Sequence, residues 1–368
     1  MVDFTVEIPK GRVPIVLQLS DPQVLDASQA VPGRLSDGES DYWAKDKKED
    51  RCFKYIREMV ENTHPDLILI AGDMVYGEFD HDGSALLSFV DFMESLGVYW
   101  APVLGNHETE SKMGVDWQAS ILEGAKNCLF KQRTLTGNGN YTVGIKEGDK
   151  LTRVYYMMDS NSGAPSEKSL KNGHSSHPSG FGEDQIEWYT SDIFKLKQAY
   201  PDIKITFVFH IAICAFELAF EKYGYVQNRQ ADVFPIEIDK IDKTGKDFGT
   251  ILSPTPTWDK DFKVWEGFKS LGVDSVLVGH DHEVFASVVY EGVRLQFGLK
   301  SSTYDSNIYL TLDGKLKKSW VPAGKPIIGA TVMELDPVSG EIKKAYPYFC
   351  KNVDFEYLRP PEKAIIFI

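Results

Sequence analysis

Short apolar runs alternate with longer amphipathic segments in the first third of the chain, and this alternation predicts its elements. The runs at 14–20, 66–72 and 98–105 are rich in Val, Ile and Leu and have the length of buried strands. The segments at 48–63 and 84–97 place apolar residues three and four positions apart, as a helix with one buried face does. The resulting β-α-β-α-β order predicts a mostly parallel, buried sheet.

After residue 140 the pattern is richer in strands. A helix is predicted at 183–200, and the turn Glu291-Gly292 between two β-rich runs predicts a hairpin over 285–298. Two sheets packed face to face with helices outside would accommodate all these elements. Further strands are predicted at 141–145, 152–159, 204–210, 274–280 and 329–336.

Two long segments, 161–182 and about 215–258, carry no clear periodicity. Loops of this length in a compact domain are usually functional or mobile. Because both adjoin strands that end in polar residues, we expect them to form the rim of a substrate cleft.

Composition excludes some function classes. The chain has 368 residues, 42% of them hydrophobic, and a formal net charge of −14. Such a chain repels nucleic acid and anionic membranes, so we expect neither as a partner. An anionic substrate would need a local positive centre, which bound metal cations supply. The most apolar run, 205–220, is shorter than the ~20 residues of a membrane span.

The cysteines and the N-terminus carry less information. No pair of cysteines has C-x-x-C spacing, so a zinc knuckle is not indicated, and buried thiols are favoured over two disulfides. The first residues lack the apolar core of a signal peptide, which favours a cytoplasmic protein, with a mature secreted form as the alternative. The four cysteines are Cys52, Cys128, Cys214 and Cys350.

Five apolar runs end in residues of the kind that bind metals. In open α/β sheets, ligands bind beyond the carboxyl ends of strands, so these side chains are expected to share one rim. A single Asp or Asn there is more often a turn or a helix cap, and a single His is often a core residue. The five endings are Asp21, Asp73, Asn106 with His107 and Glu108, His210, and His280 with His282.

Carboxylate, amide and imidazole groups together suit divalent or trivalent metal ions. Six or seven such groups are too many for one catalytic ion that keeps an open position. They fit two ions that share a bridging carboxylate, and such pairs, roughly 3.5–4 Å apart, support in-line phosphoryl displacement.

The motifs SDPQ, GDMVY, GNHE, the histidine of FVFH, and GHDH follow one another in the order of the calcineurin-like metallophosphoesterases, which this chain resembles over residues 13–298. The stretches WAPVLGNHETES, GEDQIEWY and GVDSVLVGHDHE resemble the purple-acid-phosphatase-like branch. The resemblance implies a four-layer αββα sandwich formed as a single domain by residues 1–368, with a motif core at 13–300 and closing strands at 301–368.

The resemblance also implies residue roles. Asp73 would bridge both metals, and Asp21 and His282 would hold the first. Asn106, His210 and His280 would hold the second. His107 would stabilise the phosphate or protonate the leaving oxygen while a metal-bound hydroxide attacks phosphorus.

Gln23 departs from the pattern of the wider family, which has a histidine two residues after the first aspartate. Purple acid phosphatases also lack that histidine and use the tyrosine of G-D-x-x-Y, which Tyr76 matches here. A phenolate favours Fe³⁺, so Fe³⁺ with Fe²⁺, Zn²⁺ or Mn²⁺ is expected, and two divalent ions are the alternative. Gln23 remains a possible oxygen ligand, a hydrogen-bonding neighbour of the metal, or a space-filling residue.

The sequence thus predicts a hydrolase of small phosphate esters, with phosphomonoesters favoured through the resemblance. A phosphodiesterase with the same metal centre is one alternative, and a non-catalytic interaction module is another. The oligomeric state is not predicted.

Overall fold

The structure is a computed structural model that describes most of the chain: residues 2–26, 48–163, 177–178, 180–222, 247–252, 262–302, 307–311, 314–319 and 324–353. Most of the two long segments without a predicted element, and the last part of the predicted closing strands, lie outside these residues.

Strands and helices are numbered here in chain order. The strands are β1 (Phe4–Ile8), β2 (Ile15–Leu19), β3 (Leu67–Ile70), β4 (Tyr99–Pro102), β5 (Tyr141–Glu147), β6 (Lys150–Met157), β7 (Ser162–Gly163), β8 (His177–Pro178), β9 (Lys204–Val208), β10 (Phe248–Ile251), β11 (Ser275–Val278), β12 (Val284–Tyr290), β13 (Val293–Phe297), β14 (Asn307–Leu310), β15 (Leu316–Ser319), β16 (Lys325–Pro326), β17 (Gly329–Leu335) and β18 (Ile342–Phe349). The helices are α1 (Lys48–Thr63), α2 (Ser84–Ser95), α3 (Val115–Gly124), α4 (Glu183–Ala199), α5 (Cys214–Glu221) and α6 (Phe262–Ser270).

A five-stranded sheet in the order β18-β17-β2-β3-β4 contains the first three predicted strands. β2, β3 and β4 are parallel and are connected through α1 and α2, so the predicted β-α-β-α-β order is confirmed. β17 pairs antiparallel with β2, which brings a strand from late in the chain beside one of the earliest.

An eight-stranded mixed sheet in the order β1-β5-β6-β9-β11-β13-β12-β10 contains the later strands. Tyr290 pairs directly with Val293 across the predicted turn. Both turn residues have positive φ, 48° at Glu291 and 84° at Gly292, as a two-residue hairpin turn of type I′ requires. The hairpin prediction is therefore confirmed.

The faces of β6 show how the two sheets are layered. Tyr155 and Met157 belong to the core that also contains β2, β3 and β4, whereas Val154 and Tyr156 belong to the core formed with α4, α5 and α6. Because alternate residues of a strand face opposite sides, one face of this sheet packs against the other sheet and one against helices. The predicted four-layer α/β arrangement, αββα, is confirmed.

Several elements were missed by the sequence patterns. The apolar run 205–220 conceals a change from strand to helix, because β9 ends at Val208 and α5 begins at Cys214 while both are buried. A run that is mainly apolar shows neither a clear period of two nor one of 3.6, so the boundary between strand and helix is not visible in it. The other missed elements are β1, α3, α6, β7, β8 and β10, whereas β14, β15, β16 and β18 lie within the predicted closing strands at 301–368.

A buried polar contact connects the two sheets. Gln18 on β2 donates to the Val278 carbonyl oxygen (2.9 Å) and accepts a hydrogen bond from Gln296 on β13 (2.7 Å). Both glutamines are fully buried, and buried amides without partners cost about 1–3 kcal/mol each. Sliding one sheet against the other would break these bonds, so they help to fix the relative position of β2 and β11.

All four cysteines carry free thiols; Cys52, Cys128 and Cys350 are buried as predicted, whereas Cys214 is partly exposed. Among the residues that the structure describes, no helix combines the length and the apolarity needed to cross a membrane.

Candidate metal centre

The predicted ligand residues follow strands of both sheets. Asp21, Asp73 and Asn106 lie beyond β2, β3 and β4 of the five-stranded sheet. His210 lies beyond β9 of the eight-stranded sheet, while His280 and His282 lie beyond β11. The strand ends meet where the two sheets adjoin, and the side chains converge there.

Among the described residues, two groups of acidic and imidazole side chains have the geometry to hold a metal ion. One consists of Asp73, His210 and His280, and the other of Asp21, Asp73 and His282. Within each group, the candidate ligand atoms lie within 4.8 Å of one another. Asp73 belongs to both groups, which is the arrangement that a carboxylate shared by two ions requires.

Asn106 completes the group around His210 and His280. Its Oδ1 atom is 3.0 Å from His210 Nε2 and 2.8 Å from His280 Nδ1, and His210 Nε2 is 3.2 Å from Asp73 Oδ2. In the other group, His282 Nε2 is 3.5 Å from Asp21 Oδ1. These are short distances between groups with lone pairs, as expected where ligands face a common cation.

The outer contact of His210 supports a metal-binding role. Its Nδ1 atom lies 2.8 Å from the Ala71 carbonyl oxygen, which can accept only an N–H, so Nε2 is the atom that faces Asp73 and Asn106 and that would bind a cation on losing its proton. Metal-binding histidines commonly have this outer hydrogen bond, which fixes the tautomer and the ring. The donor set and its orientation therefore fit a pair of metal ions.

Buried charge is compensated within the site. Burial opposes ionisation of Asp73, but the imidazoles of His210 and His107 hold its pKa well below the usual value. Burial likewise opposes ionisation of Asp21, whose contact with His282 lowers its pKa to about 2. Burial disfavours the charged form of His210, yet Asp73 raises its pKa to about 9. The carboxylates are ionised, as metal binding requires.

The local backbone explains how these side chains reach the rim. Asp21, Asp73 and His280 have left-handed φ values of 49°, 50° and 78°, so the chain turns sharply where each strand ends. The preceding glycines allow close approach: a Cβ at Gly105 would overlap Asp73 Oδ1, and one at Gly279 would lie 2.5 Å from the Ala71 carbonyl oxygen. The glycines before Asn106 and His280 are therefore required by packing.

His107 lies beside Asp73 at the more accessible side of the site. Its backbone N–H donates to Asp73 Oδ1 (3.0 Å), and its Nε2 atom is 3.8 Å from Asp73 Oδ2. Its Nδ1 atom is 2.6 Å from Glu110 Oε2, and its side chain keeps 12% exposure. A ring fixed in this way and reachable from solvent is suited to proton transfer.

Tyr76 and Gln23, the two residues that were predicted to compensate each other, are both buried. The Tyr76 ring packs on His107, with 4.1 Å between ring centroids, and on Phe79. The side-chain oxygen of Gln23 accepts a hydrogen bond from Lys300 Nζ (2.6 Å).

From the sequence, Glu108 was counted among the metal-binding residue types at the strand ends but was placed in neither ligand group. Its carboxylate accepts hydrogen bonds from the backbone N–H groups of Asp73 (3.2 Å), Val75 (3.2 Å) and Gly105 (2.5 Å). Burial and the Asp73 carboxylate raise the pKa of Glu108 to about 7, while the N–H donors favour its ionised form. Glu108 thus connects the segments that position Asp73 and Asn106.

Glu110 and Lys300 were also missed. The contact of Glu110 with His107 could have been predicted, because residues at i and i+3 in a helical turn lie close together. Lys300 is 277 residues from Gln23 in the sequence, and no local pattern indicates that they meet.

The sequence model of the family Calcineurin-like phosphoesterase matches residues 15–284. A protein of Arabidopsis thaliana named "Probable inactive purple acid phosphatase 28" is 38% identical over 106 residues, which are 25% of this chain and 27% of that protein. The uncharacterized protein C1020.05 of Schizosaccharomyces pombe is 25% identical over 163 residues, 44% of this chain and 30% of that protein.

The matched segments therefore span less than a third of these relatives' own length. Among solved structures, a dimetal phosphatase from Danio rerio is similar with a TM-score of 0.47 and 11% identity, covering 91% of this chain and 98% of that one.

The Glu108 contacts generate a stability prediction. Glu108→Gln replaces one acceptor oxygen by an NH₂ group that faces backbone N–H donors, so we expect the free energy of unfolding to fall by about 2 kcal/mol. Urea denaturation measures the change. Glu61→Gln, the same substitution at an exposed position of α1, should change stability by less than about 0.5 kcal/mol. A Glu108→Gln variant as stable as wild type would show that the three backbone contacts contribute little.

Proposed function

The chain belongs to the calcineurin-like phosphoesterase family, as its motifs predicted, and from this premise we propose that it hydrolyses phosphate esters with a pair of metal ions. We further propose that phosphomonoesters are its preferred substrates and that residues 1–368 form one metallophosphoesterase domain. The pairing of β2 with β17 supports the domain assignment, because it joins early and late parts of the chain in one sheet.

The observation that carries this proposal is the membership of Asp73 in both ligand groups. In the proposed site, Asp21, Asp73 and His282 hold one ion, and Asp73, Asn106, His210 and His280 hold the other. A bound ion pair supplies Lewis acidity, lowers the pKa of water and balances the charge that develops on phosphorus oxygens. The residues of the chain fix the separation of the ions, because they lie on strand ends of two packed sheets.

His107 is the proposed proton donor to the leaving oxygen. Its Nδ1 atom is engaged by Glu110, so Nε2 is the atom that carries the transferable proton. The Glu110 carboxylate orients the ring and stabilises its charged form, as a carboxylate partner does for other catalytic histidines. The packing of Tyr76 against the ring restricts it further.

Tyr76 is also the proposed phenolate ligand of the first ion, which would favour Fe³⁺ there with Fe²⁺, Zn²⁺ or Mn²⁺ as the second ion. The support is the G-D-x-x-Y motif, which places Tyr76 three residues after Asp73, and the burial of Tyr76 against Phe79 and His107. Two divalent ions remain the alternative composition.

A second candidate function is a non-catalytic interaction module on the same fold. Gln23 in place of a ligand favours it, and two plant relatives carry the words "Probable inactive" in their names. The convergence of Asp21, Asp73, His210, His280 and His282 favours the enzyme instead. Elemental analysis separates the two: fewer than one bound ion per chain, with no uptake of added Mn²⁺ or iron, would favour the module.

Substrate preference is tested by the ratio of monoester to diester hydrolysis. We expect metal-loaded protein to cleave nitrophenyl phosphate with a higher kcat/KM than bis-nitrophenyl phosphate, because a diester needs space for a second substituent. A higher kcat/KM for the bis-ester would establish the phosphodiesterase alternative, and no turnover of either by metal-loaded protein would reject the hydrolase.

Two substitutions separate metal binding from turnover. Asp73→Asn should lose both metal and activity, because it removes the carboxylate shared by the two groups. His107→Ala should keep its metal content and lose about 10²- to 10⁴-fold in kcat, the contribution typical of a general acid. Metal content and kcat are measured on the same samples. Wild-type turnover in His107→Ala would show that the proton comes from elsewhere.

The Tyr76 proposal has a spectroscopic test. A tyrosinate–Fe³⁺ contact gives a purple or pink charge-transfer absorption, which we expect in iron-loaded wild type and not in Tyr76→Phe. A colourless wild type with two divalent ions would reject the phenolate ligand, while leaving the dinuclear site intact.

A further inference from the structure

A buried lysine lies against the position where the family pattern has a histidine. Lys300 Nζ is 2.6 Å from Gln23 Oε1 and 3.3 Å from the Asp21 carbonyl oxygen. Gln23 is fully buried and Lys300 is 2% exposed, so neither can exchange this contact for bulk water. An ammonium group carries only donors.

This contact fixes the orientation of the Gln23 amide. A flipped amide would place its NH₂ against the ammonium, donor against donor, so Oε1 must face Lys300. The Nε2 group then points away from Lys300, and it has no hydrogen-bond partner among the residues that the structure describes. A buried donor without a partner is rare in native proteins and calls for an acceptor, which can be a water or an oxygen of a bound ligand.

Gln23 adjoins both groups of metal ligands. It follows Asp21 by two residues, and its backbone N–H donates to the carbonyl oxygen of Asp73 (2.8 Å). An amide nitrogen has no available lone pair, so Nε2 cannot hold a cation, and its partner must be an acceptor. Beside a pair of cations that binds phosphate esters, the expected acceptor is an anionic oxygen.

We propose that Gln23 binds a phosphate oxygen of the substrate through Nε2 and is not a metal ligand, and that Lys300 is a positioning residue that holds the amide in the donating orientation. This inference rests on the proposed function. It gives the departure from the family pattern a role: a ligand has been replaced by a hydrogen-bond donor that recognises the tetrahedral anion.

The first test uses metal-loaded protein and inorganic phosphate. Gln23→Met keeps a side chain of similar size and removes the donor. We expect it to bind two metal ions per chain, as wild type does, and to bind phosphate about tenfold or more weakly, the effect of one charge-assisted hydrogen bond. Elemental analysis gives the metal content, and isothermal titration calorimetry gives the phosphate Kd.

The second test isolates Lys300. Lys300→Met frees the amide to turn, so phosphate affinity should fall by a similar factor. The double variant Gln23→Met/Lys300→Met should bind phosphate no more weakly than Gln23→Met alone, because Lys300 acts through Gln23. Lys10→Met, the same charge change at an exposed position, should leave the phosphate Kd within about twofold.

The outcomes separate this inference from the function on which it rests. Wild type that takes up no metal contradicts the proposed function, and this inference with it. If wild type binds two ions and phosphate, and Gln23→Met binds phosphate with the same Kd, only the inference is overturned. Nε2 would then donate to solvent, or Gln23 would only fill space. Loss of one ion in Gln23→Met would establish Gln23 as a metal ligand. A Lys300→Met effect that adds fully to that of Gln23→Met would show a direct charge effect and overturn the positioning role.

Discussion

The candidate metal site depends on the relative placement of two sheets, because each sheet supplies only part of the proposed ligand set. Asp21, Asp73 and Asn106 follow strands of one sheet, and the three histidines at 210, 280 and 282 follow strands of the other. The two sheets are joined by hydrogen bonds at the rim itself, from His210 to the Ala71 carbonyl oxygen and from the His280 backbone N–H to the Asp21 carboxylate. Deeper in the core, Gln18 and Gln296 repeat this connection. The ligand geometry is therefore a property of the whole sandwich and not of any one loop.

The same placement concentrates charge in the interior. Asp21, Asp73 and Glu108 are all buried near this site, and two kinds of group compensate their charge. Imidazoles face the first two, while backbone N–H groups surround Glu108. Glu108 accepts hydrogen bonds from backbone groups, so its role is structural. Asp21 and Asp73 face histidines, which bind a metal ion in their neutral form, so these two carboxylates are suited to bind a cation together with the imidazoles.

The sequence predicted the features that repeat along the chain. Strand ends with ligand residues are local signals, and their convergence follows from the rule that parallel strands present their carboxyl ends at one edge. The contact of Lys300 with Gln23 could not be predicted in this way, because it depends on the return of the chain to the site after β13. The helix α5 was missed because it continues the mainly apolar run that contains β9, so no change in the sequence pattern marks its first residue. Local motifs at strand ends therefore predicted the convergence of these side chains better than they predicted the long-range contacts that support them.

The left-handed backbone at Asp21, Asp73 and His280 has a consequence for how the chain tolerates change. Asp, Asn and His are the non-glycine residues that adopt this conformation most readily, and they are also good metal ligands, so one choice of residue satisfies both demands. Alanine at these three positions would impose a backbone penalty in addition to the loss of a ligand, whereas glycine would relieve the backbone. Where the proposed metal ligands are not required, glycine is therefore the replacement that disturbs the backbone of the sandwich least at these three turns.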